Sequence, residues 1–337
     1  MPYALRGLDV LDHVVQALWE SSLSHRTNTV YNTGIKSFHH FLAMYNLHCN
    51  SSLLPKVNED ILLYYVAFCH QVLHLKYTTI KMYLAGIRRA YVASGFTNPL
   101  MNEHNQPLVR LQGVLRGVKK VQGTSTVVRQ PITADVLASM RQALQHGIFG
   151  PYVDLLLETA CTVAFFGFLR CGEFTSRDNT YDPAVDLSLR DVFPAPQGQA
   201  FILRLKASKT DPFRQGVNIY LHRTGLAVCP WRTLTTYLRV RNIMNHTDQD
   251  PLFLTPEGGI MSRAWFLKKL QALFVRIGIS EKYTGHSFRS GAATSAAKAN
   301  IPDHLIKTLG RWSSDSYCRY VKTPQALIKN AQLKMCL

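Results

Sequence analysis

Two stretches near the C-terminus decide the fold: GHSFRSGAAT at residues 285–294 and LIKTLGRWSSDSYCRY at residues 305–320. In the first stretch, His286 and Arg289 lie three residues apart at a predicted helix start, so they are expected on one face. A helix N-terminus favours anions, and a guanidinium group can donate to two phosphate oxygens at once. The pair is therefore suited to bind a phosphate group.

The second stretch predicts a short helix and then a final helix that carries two tyrosines. Pro302 lies before the short helix and Gly310 after it, which are the preferred positions of these residues at helix ends. The serines and the aspartate at 313–315 are cap residues for the last helix. Because Tyr317 and Tyr320 are three residues apart, they could share a helix face, and spacing alone does not choose between them.

A third segment, FGFLRCGEF at residues 166–174, follows a strongly apolar run and predicts the end of a buried helix. Arg170 stands in this segment, and Glu173 follows three residues later. In isolation this pair predicts only a buried ion pair.

The fourth segment is a predicted β-hairpin. Residues 201–205 and 217–221 are β-rich, and the polar loop between them contains Lys206 and Lys209. Taken alone, a lysine in such a loop predicts a solvated charge.

In this order and spacing, the four segments resemble the motifs of the tyrosine recombinases, also called phage integrases. That family's C-terminal pattern is HxxR, then Leu-Gly-His/Trp, then a nucleophilic tyrosine. The wording GHSFRSGAAT…LIKTLGRWSSDSYCRY is most similar to the recombinases of eukaryotic DIRS-type and Crypton-type mobile elements. The resemblance implies a mainly α (α+β) fold with two domains: a helical, SAM-like core-binding domain and an α-rich catalytic domain with a small antiparallel sheet.

The resemblance also implies the site residues and their roles. The catalytic residues are then Arg170, Lys209, His286, Arg289, Trp312 and Tyr320, supported by Glu173 and Arg311. Arg170 and Arg289 clamp the scissile phosphate, and Glu173 orients Arg170 through a salt bridge. Lys209, chosen over Lys206, protonates the departing 5′ oxygen. Tyr320 forms a 3′-phosphotyrosyl link, and no cofactor, metal or ATP is expected.

The sequence departs from the family pattern near the predicted nucleophile. Arg311 stands nine residues before Tyr320, where the family has His or Trp, and Trp312 stands eight residues before it. Either residue could fill that position. Tyr317 remains the alternative nucleophile.

The N-terminal part predicts helices only, since apolar residues recur at spacings of three and four with no strand-like alternation. The predicted helices are residues 11–20, 27–47, 58–74 and 77–94. Residues 110–129 carry five bases and no acid, and GTST at 123–126 resembles a linker. We therefore expect a DNA core-binding domain at 1–122, a linker at 123–130 and a catalytic domain at 131–337.

Composition agrees with a nucleic-acid partner. The 337 residues contain 38 Lys+Arg and 21 Asp+Glu, a formal charge of +17, which favours a polyanion. The longest apolar run, ILLYYVAFC at 61–69, is about half of a membrane span. Seven scattered cysteines form no CxxC pair, so neither a disulfide framework nor a zinc site is predicted.

The resemblance implies a site-specific recombinase or integrase of a mobile element, and the composition agrees with it. It would act in the nucleus as a homotetramer on paired double-stranded DNA sites, with no membrane and no small-molecule substrate. Three alternatives share the basic charge: a catalytically silent DNA-binding protein of recombinase descent, a type IB topoisomerase relative and an RNA-binding module. The target DNA sequence, and whether the chain serves an active element or is a retained host gene, stay open.

Overall fold

The computed structural model of the protein describes residues 9–47, 54–123 and 130–337, apart from 178, 197, 209, 210, 212, 245, 246, 281, 282, 320–328, 330, 331, 334, 336 and 337. The chain forms two compact units, residues 1–127 and 128–337. The boundary between them falls within residues 124–129, outside the described residues. None of the helices in the described part combines the length and hydropathy that a membrane span requires.

The first unit consists of helices joined by loops, with no β-strand longer than a single bridge among its described residues. Its helices are α1 (Asp9–Ser21), α2 (His25–Met44), α3 (Glu59–Gln71), α4 (Tyr77–Ala93) and α5 (Val109–Gln122). Side-chain caps fix two of their starts, because Ser24 Oγ accepts from the Thr27 amide (3.3 Å) and Asn58 Oδ1 from the Ile61 amide (3.0 Å).

Two glycines let α2 and α4 approach closely. A Cβ added to Gly34 would lie 2.7 Å from Tyr83 Cα, and one added to Gly86 would lie 2.7 Å from the Tyr31 carbonyl oxygen. Next to this contact, Phe38 and Tyr65 are fully buried, with ring centroids 5.0 Å apart. Phe38 is thus a core residue, as its position on the apolar face of α2 predicts.

The basic stretch expected to lead into a linker is largely helical. Within α5, Leu111, Leu115 and Val118 enter the core of the first unit, and Arg110 Nη1 lies 2.7 Å from Asp60 Oδ1. The basic residues from Arg110 to Lys120 therefore belong to a helix of the first unit, which ends before the predicted linker at 123–130. Its apolar residues, spaced by four and three, pack as an ordinary amphipathic helix.

The second unit is built around one buried helix. Its helices are α6 (Ala134–Gln145), α7 (Pro151–Phe166), α8 (Cys171–Phe174), α9 (Pro230–Ile243), α10 (Arg263–Arg276), α11 (Ser287–Lys298) and α12 (Asp303–Leu309). Helix α7 is buried along most of its length and contacts α6, α9 and α11. Asp154 closes its start, since its carboxylate accepts from the amides of Ile148, Phe149 and Gly150.

A three-stranded antiparallel sheet completes the second unit. Strands β1 (Val192–Pro194), β2 (Ala200–Leu205) and β3 (Val217–His222) lie in that order, with Val192 opposite Leu203 and Leu203 opposite Ile219. The predicted hairpin is present, and the edge strand β1 was not predicted. The mainly α fold with a small antiparallel sheet is confirmed.

Candidate active site

The site begins where α7 ends. Phe168 has a left-handed backbone (φ 48°), a conformation that costs a non-glycine residue about 1–2 kcal/mol. The Leu169 amide donates back to the Ala164 carbonyl (2.8 Å), which closes the last turn. This reversal leaves the carbonyl oxygens of Gly167 and Phe168 available to arginine side chains.

Arg170 and Glu173 form the first ion pair of the site. Arg170 Nη1 lies 2.8 Å from Glu173 Oε1, and the Arg170 amide donates to Glu173 Oε2 at 2.9 Å. The carboxylate thus caps the short helix α8 as well as pairing with the guanidinium. Glu173 is buried, so its charge requires compensation.

Arg289 brings a second guanidinium from α11 and is only 2% exposed. Its Nη1 lies 3.9 Å from Glu173 Oε2 and donates to the Phe168 carbonyl at 3.2 Å, while its Nη2 donates to the Gly310 carbonyl. The guanidinium carbon lies 4.6 Å from the centroid of the Trp312 ring, within cation–π range. Arg289 is therefore held on several sides.

Arg311 supplies a third guanidinium. Its Nη2 lies 3.1 Å from Glu173 Oε2, its Nη1 donates to the Gly167 carbonyl at 2.8 Å, and its backbone is left-handed (φ 55°). Burial lowers the pKa of Arg311 from its ordinary value, and the Glu173 carboxylate opposes that effect. Three arginines from separate segments thus share one carboxylate, which leaves two positive charges in excess.

Trp312 packs over Arg289, one of the three arginines. Its ring folds back onto Gly310, where a Cβ would overlap the indole, and it meets the Phe168 ring edge-on at 6.1 Å. The sequence left open whether Arg311 or Trp312 takes the family's His/Trp position. In the structure both residues line the site, with Arg311 on Glu173 and Trp312 on Arg289.

Tyr317 lies in a 3₁₀ turn at Asp315–Arg319 and is buried. Its ring centroid is 5.9 Å from that of Trp312. Burial raises the pKa of Tyr317 to about 12, which disfavours the phenolate. Tyr320, the predicted nucleophile, lies outside the described residues.

His286 and Arg289 differ in burial, although their spacing predicted one shared face. His286 precedes α11 as its cap residue and is exposed, whereas Arg289 enters the helix and is buried. The His286 amide donates to Thr284 Oγ1 at 3.4 Å. The His286 carbonyl accepts from the Ser290 amide at 3.1 Å, so His286 and Arg289 lie in the first turn of one helix and differ only in exposure.

Lys209, the predicted general acid, lies outside the described residues. Lys206, the other lysine considered for the hairpin, is bound at the base of the loop. Its Nζ lies 2.7 Å from Asp191 Oδ2 and donates to the Pro183 carbonyl (2.8 Å) and Ser188 Oγ (3.1 Å). These three acceptors give Lys206 a structural ion pair that anchors the hairpin.

One contact that the sequence did not predict joins two of the motifs. The Cys171 amide donates to the Gly285 carbonyl at 3.0 Å, and a Cβ on Gly285 would lie 2.5 Å from Cys171 Cβ. Glycine is therefore required directly before His286, because the two backbones touch there. This contact brings the Arg170 and Arg289 segments together.

The arrangement agrees with comparisons to solved structures. No protein-family model and no curated protein matches the sequence. The structure is similar to a post-cleavage complex of the XerH site-specific recombinase bound to a palindromic difH substrate, at 14% identity and a TM-score of 0.64, covering 90% of this chain and 78% of that one. The chain has the tyrosine recombinase fold.

Two other tyrosine recombinase structures are similar to it. A lambda integrase dimer bound to a COC′ core site is 17% identical with a TM-score of 0.57, covering 93% of this chain and 76% of that one. The Tn1549 transposon integrase in complex with circular intermediate DNA is 14% identical with a TM-score of 0.53, covering 91% of this chain and 98% of that one. The likeness extends over both units of the chain.

Proposed function

We propose that the protein is a site-specific DNA recombinase or integrase that cleaves and rejoins strands through a 3′-phosphotyrosyl intermediate. The observation that carries the proposal is the convergence of Arg170, Arg289 and Arg311 on the buried carboxylate of Glu173. The fold supports it, as do the DNA-bound complexes among the similar structures.

The charge of this cluster fits phosphoryl transfer. Three guanidiniums and one carboxylate leave an excess of two positive charges. A phosphodiester carries one negative charge, and attack by a deprotonated phenol raises the total to two negative charges in the transition state. Donors that are already fixed by the protein stabilise such developing charge without reorganising. Arg170 and Arg289 bind the non-bridging oxygens, and Arg311 holds Glu173 in place between them.

Cleavage is a balanced exchange at phosphorus. The Tyr320 phenolic oxygen forms the new bond to phosphorus, and the bond from phosphorus to the 5′ oxygen breaks. His286 accepts the phenolic proton, and Lys209 gives a proton to the departing 5′ oxygen. Rejoining is the reverse. The phosphotyrosyl link retains the bond energy, so neither ATP nor a metal is needed.

Tyr320 is proposed as the nucleophile in preference to Tyr317. Tyr317 is buried against Trp312, and its pKa is raised to about 12. A nucleophilic phenol must reach the phosphate and lose its proton, and burial opposes both.

The biological setting is proposed more broadly. We propose recombination of a mobile element of the DIRS or Crypton type, in the nucleus, by a homotetramer on paired double-stranded DNA sites. The wording of residues 285–320 supports the element type and, through its eukaryotic resemblance, the nucleus. A lambda integrase tetramer bound to a Holliday junction, among the similar structures (TM-score 0.56), supports the tetramer. Imaging of a fluorescent fusion in eukaryotic cells tests the location.

A catalytically silent DNA-binding protein is the second candidate, and one observation favours it. Arg311 stands where the resemblance expects His or Trp, and its guanidinium donates to Glu173 and to two backbone carbonyls. With these bonds the Arg311 guanidinium holds other parts of the protein in place, where the resemblance expects a residue of the reaction. This candidate predicts salt-dependent DNA binding without covalent chemistry.

A suicide substrate separates the two candidates. Duplexes that bind the full-length protein are selected from a random-sequence library, and nicks are introduced along the selected site so that cleavage releases a short fragment. We expect a covalent adduct on a denaturing gel with wild type and with the control Arg110→Ala, and none with Arg289→Ala that retains the wild-type circular dichroism spectrum. Binding without any adduct from wild type would establish the silent candidate.

A further inference from the structure

Arg263 belongs to none of the predicted motifs, yet its side chain reaches the edge of the candidate active site. It is the first residue of α10 and is exposed. Ser262 caps this helix, because its Oγ accepts from the Trp265 amide at 3.4 Å. The Arg263 side chain therefore extends from a helix start whose backbone is held in place.

Two backbone hydrogen bonds join the start of α10 to the segment that follows Glu173. The Arg263 amide donates to the Ser176 carbonyl at 2.9 Å, and the Ser176 amide donates to the Met261 carbonyl at 3.2 Å. Ser176 stands three residues after Glu173. Main-chain contacts therefore set the position of α10 relative to the carboxylate that the three arginines share.

The guanidinium group of Arg263 lies against Gly285, the residue directly before His286. A Cβ added to Gly285 would lie 3.3 Å from Arg263 Nη2, on a backbone that also touches Cys171. Burial raises the pKa of the Cys171 thiol, and the positive charge of Arg263 opposes that effect. Arg263 thus reaches the point where the segments of Arg170 and His286 meet.

The charge of Arg263 is not neutralised by any carboxylate in the described part of the chain. The three arginines of the cluster all pair with Glu173, whereas no described Asp or Glu lies within ion-pair distance of Arg263. Helix α10 carries four basic residues and neither Asp nor Glu. Exposed positive charge of this kind attracts an anion from outside the chain.

A phosphate of the DNA backbone is the anion that fits this position. In the proposed reaction Arg170 and Arg289 hold the scissile phosphate, and the strand continues from it to a neighbouring phosphate on each side. Arg289 is 2% exposed, whereas Arg263 is exposed, so Arg263 lies at the rim of the site rather than at its centre. A guanidinium group at the rim can donate two hydrogen bonds to a neighbouring phosphate, and such contacts fix the register of the DNA.

We propose that Arg263 binds the backbone phosphate next to the scissile phosphate on the same strand, and that this contact positions the strand in front of His286. The inference rests on the proposed function, which supplies the scissile phosphate, and it adds a DNA-binding residue outside the predicted motifs. Misplacing the strand by even a small distance would separate the phosphate from the group that attacks it. Arg263 therefore affects the reaction by holding the substrate in register.

Binding of the full-length protein to duplexes that each carry one methylphosphonate tests the proposal, because this group replaces a charged phosphate by a neutral one. Arg263→Gln should bind the unmodified duplex about tenfold more weakly than wild type and with a salt dependence lower by about one phosphate contact. A methylphosphonate should then cause no further loss of affinity at one position, the Arg263 phosphate, and its usual loss elsewhere. Arg170→Gln should show the same pattern at an adjacent phosphate of that strand.

Two further variants separate binding from structure. Arg276→Gln is the matched control, because Arg276 ends α10 about 20 Å from Arg263, and it should lose affinity at the Arg263 phosphate as wild type does. Arg263→Lys keeps the charge and should restore the salt dependence.

Three results would overturn the proposal: equal losses at every phosphate in Arg263→Gln, an unchanged salt dependence, or an Arg263 phosphate that does not adjoin the one found with Arg170→Gln. A wild type that binds DNA without forming a covalent adduct would refute the proposed function alone, because both phosphates are located by binding.

Discussion

Glu173→Gln is the substitution that most directly perturbs the candidate site. It keeps the size of the side chain and removes the single negative charge shared by Arg170, Arg289 and Arg311. Arg289 is 2% exposed, so water cannot solvate its guanidinium group once the carboxylate is removed. Removing one member of a buried ion pair costs about 3–5 kcal/mol, and we expect a loss of unfolding free energy in this range.

The measurement is urea unfolding of the full-length protein followed by tryptophan fluorescence. Trp231, Trp265 and Trp312 lie in the second unit, so the signal reports mainly on that unit. The matched control is Asp135→Asn in the same unit, which removes the exposed ion pair to Lys298 (side chains 80% and 66% exposed). That change should cost less than about 1 kcal/mol.

Added anion distinguishes the charge effect from loss of packing. Sulfate at constant ionic strength should stabilise Glu173→Gln more than it stabilises wild type, because an anion that binds the native state restores the missing charge. A loss below about 1 kcal/mol for Glu173→Gln, or equal stabilisation of both proteins by sulfate, would refute the argument that one carboxylate holds the three arginines.

Three further outcomes follow from packing and burial. Gly291→Ala places a Cβ on the Ile132 carbonyl, so it should lower the free energy of unfolding in urea by about 1–3 kcal/mol or more. The control is Gly172→Ala, whose Cβ meets nothing within 4 Å and should leave the free energy of unfolding nearly unchanged. Lys206→Met leaves a buried carboxylate uncompensated, and hydrogen exchange should speed up in the hairpin strands if that ion pair anchors them. At pH 7.5 a maleimide should modify exposed Cys318 before Cys161, since burial raises the pKa of the Cys161 thiol and lowers its thiolate fraction; equal rates, judged by peptide mass spectrometry, would contradict this.

The helices of the first unit could be predicted because caps and apolar spacing are local signals. Ser24 and Asn58 cap α2 and α3, and the apolar face of α2 was readable from its spacing. Helix α5 was not given bounds from the sequence, although its Leu111, Leu115 and Val118 carry the same spacing signal.

Other features depend on contacts between distant segments. Strand β1 has only three residues, Val192–Pro194, and it is a strand because β2 lies beside it. The left-handed backbones of Phe168 and Arg311 are fixed by tertiary packing, and no local pattern of bulky residues predicts them. The ion pair of Glu173 with Arg170 was expected from their spacing, whereas its sharing with Arg289 and Arg311 required the fold.

The identity of the residue that is joined to DNA shows whether Tyr320 is the nucleophile. Wild-type protein is trapped on a nicked suicide substrate, digested with protease and nuclease, and analysed by mass spectrometry. We expect a nucleotide remnant on Tyr320, loss of the adduct in Tyr320→Phe, and an adduct that persists in Tyr317→Phe. A remnant on Tyr317, or an undiminished adduct from Tyr320→Phe, would contradict it.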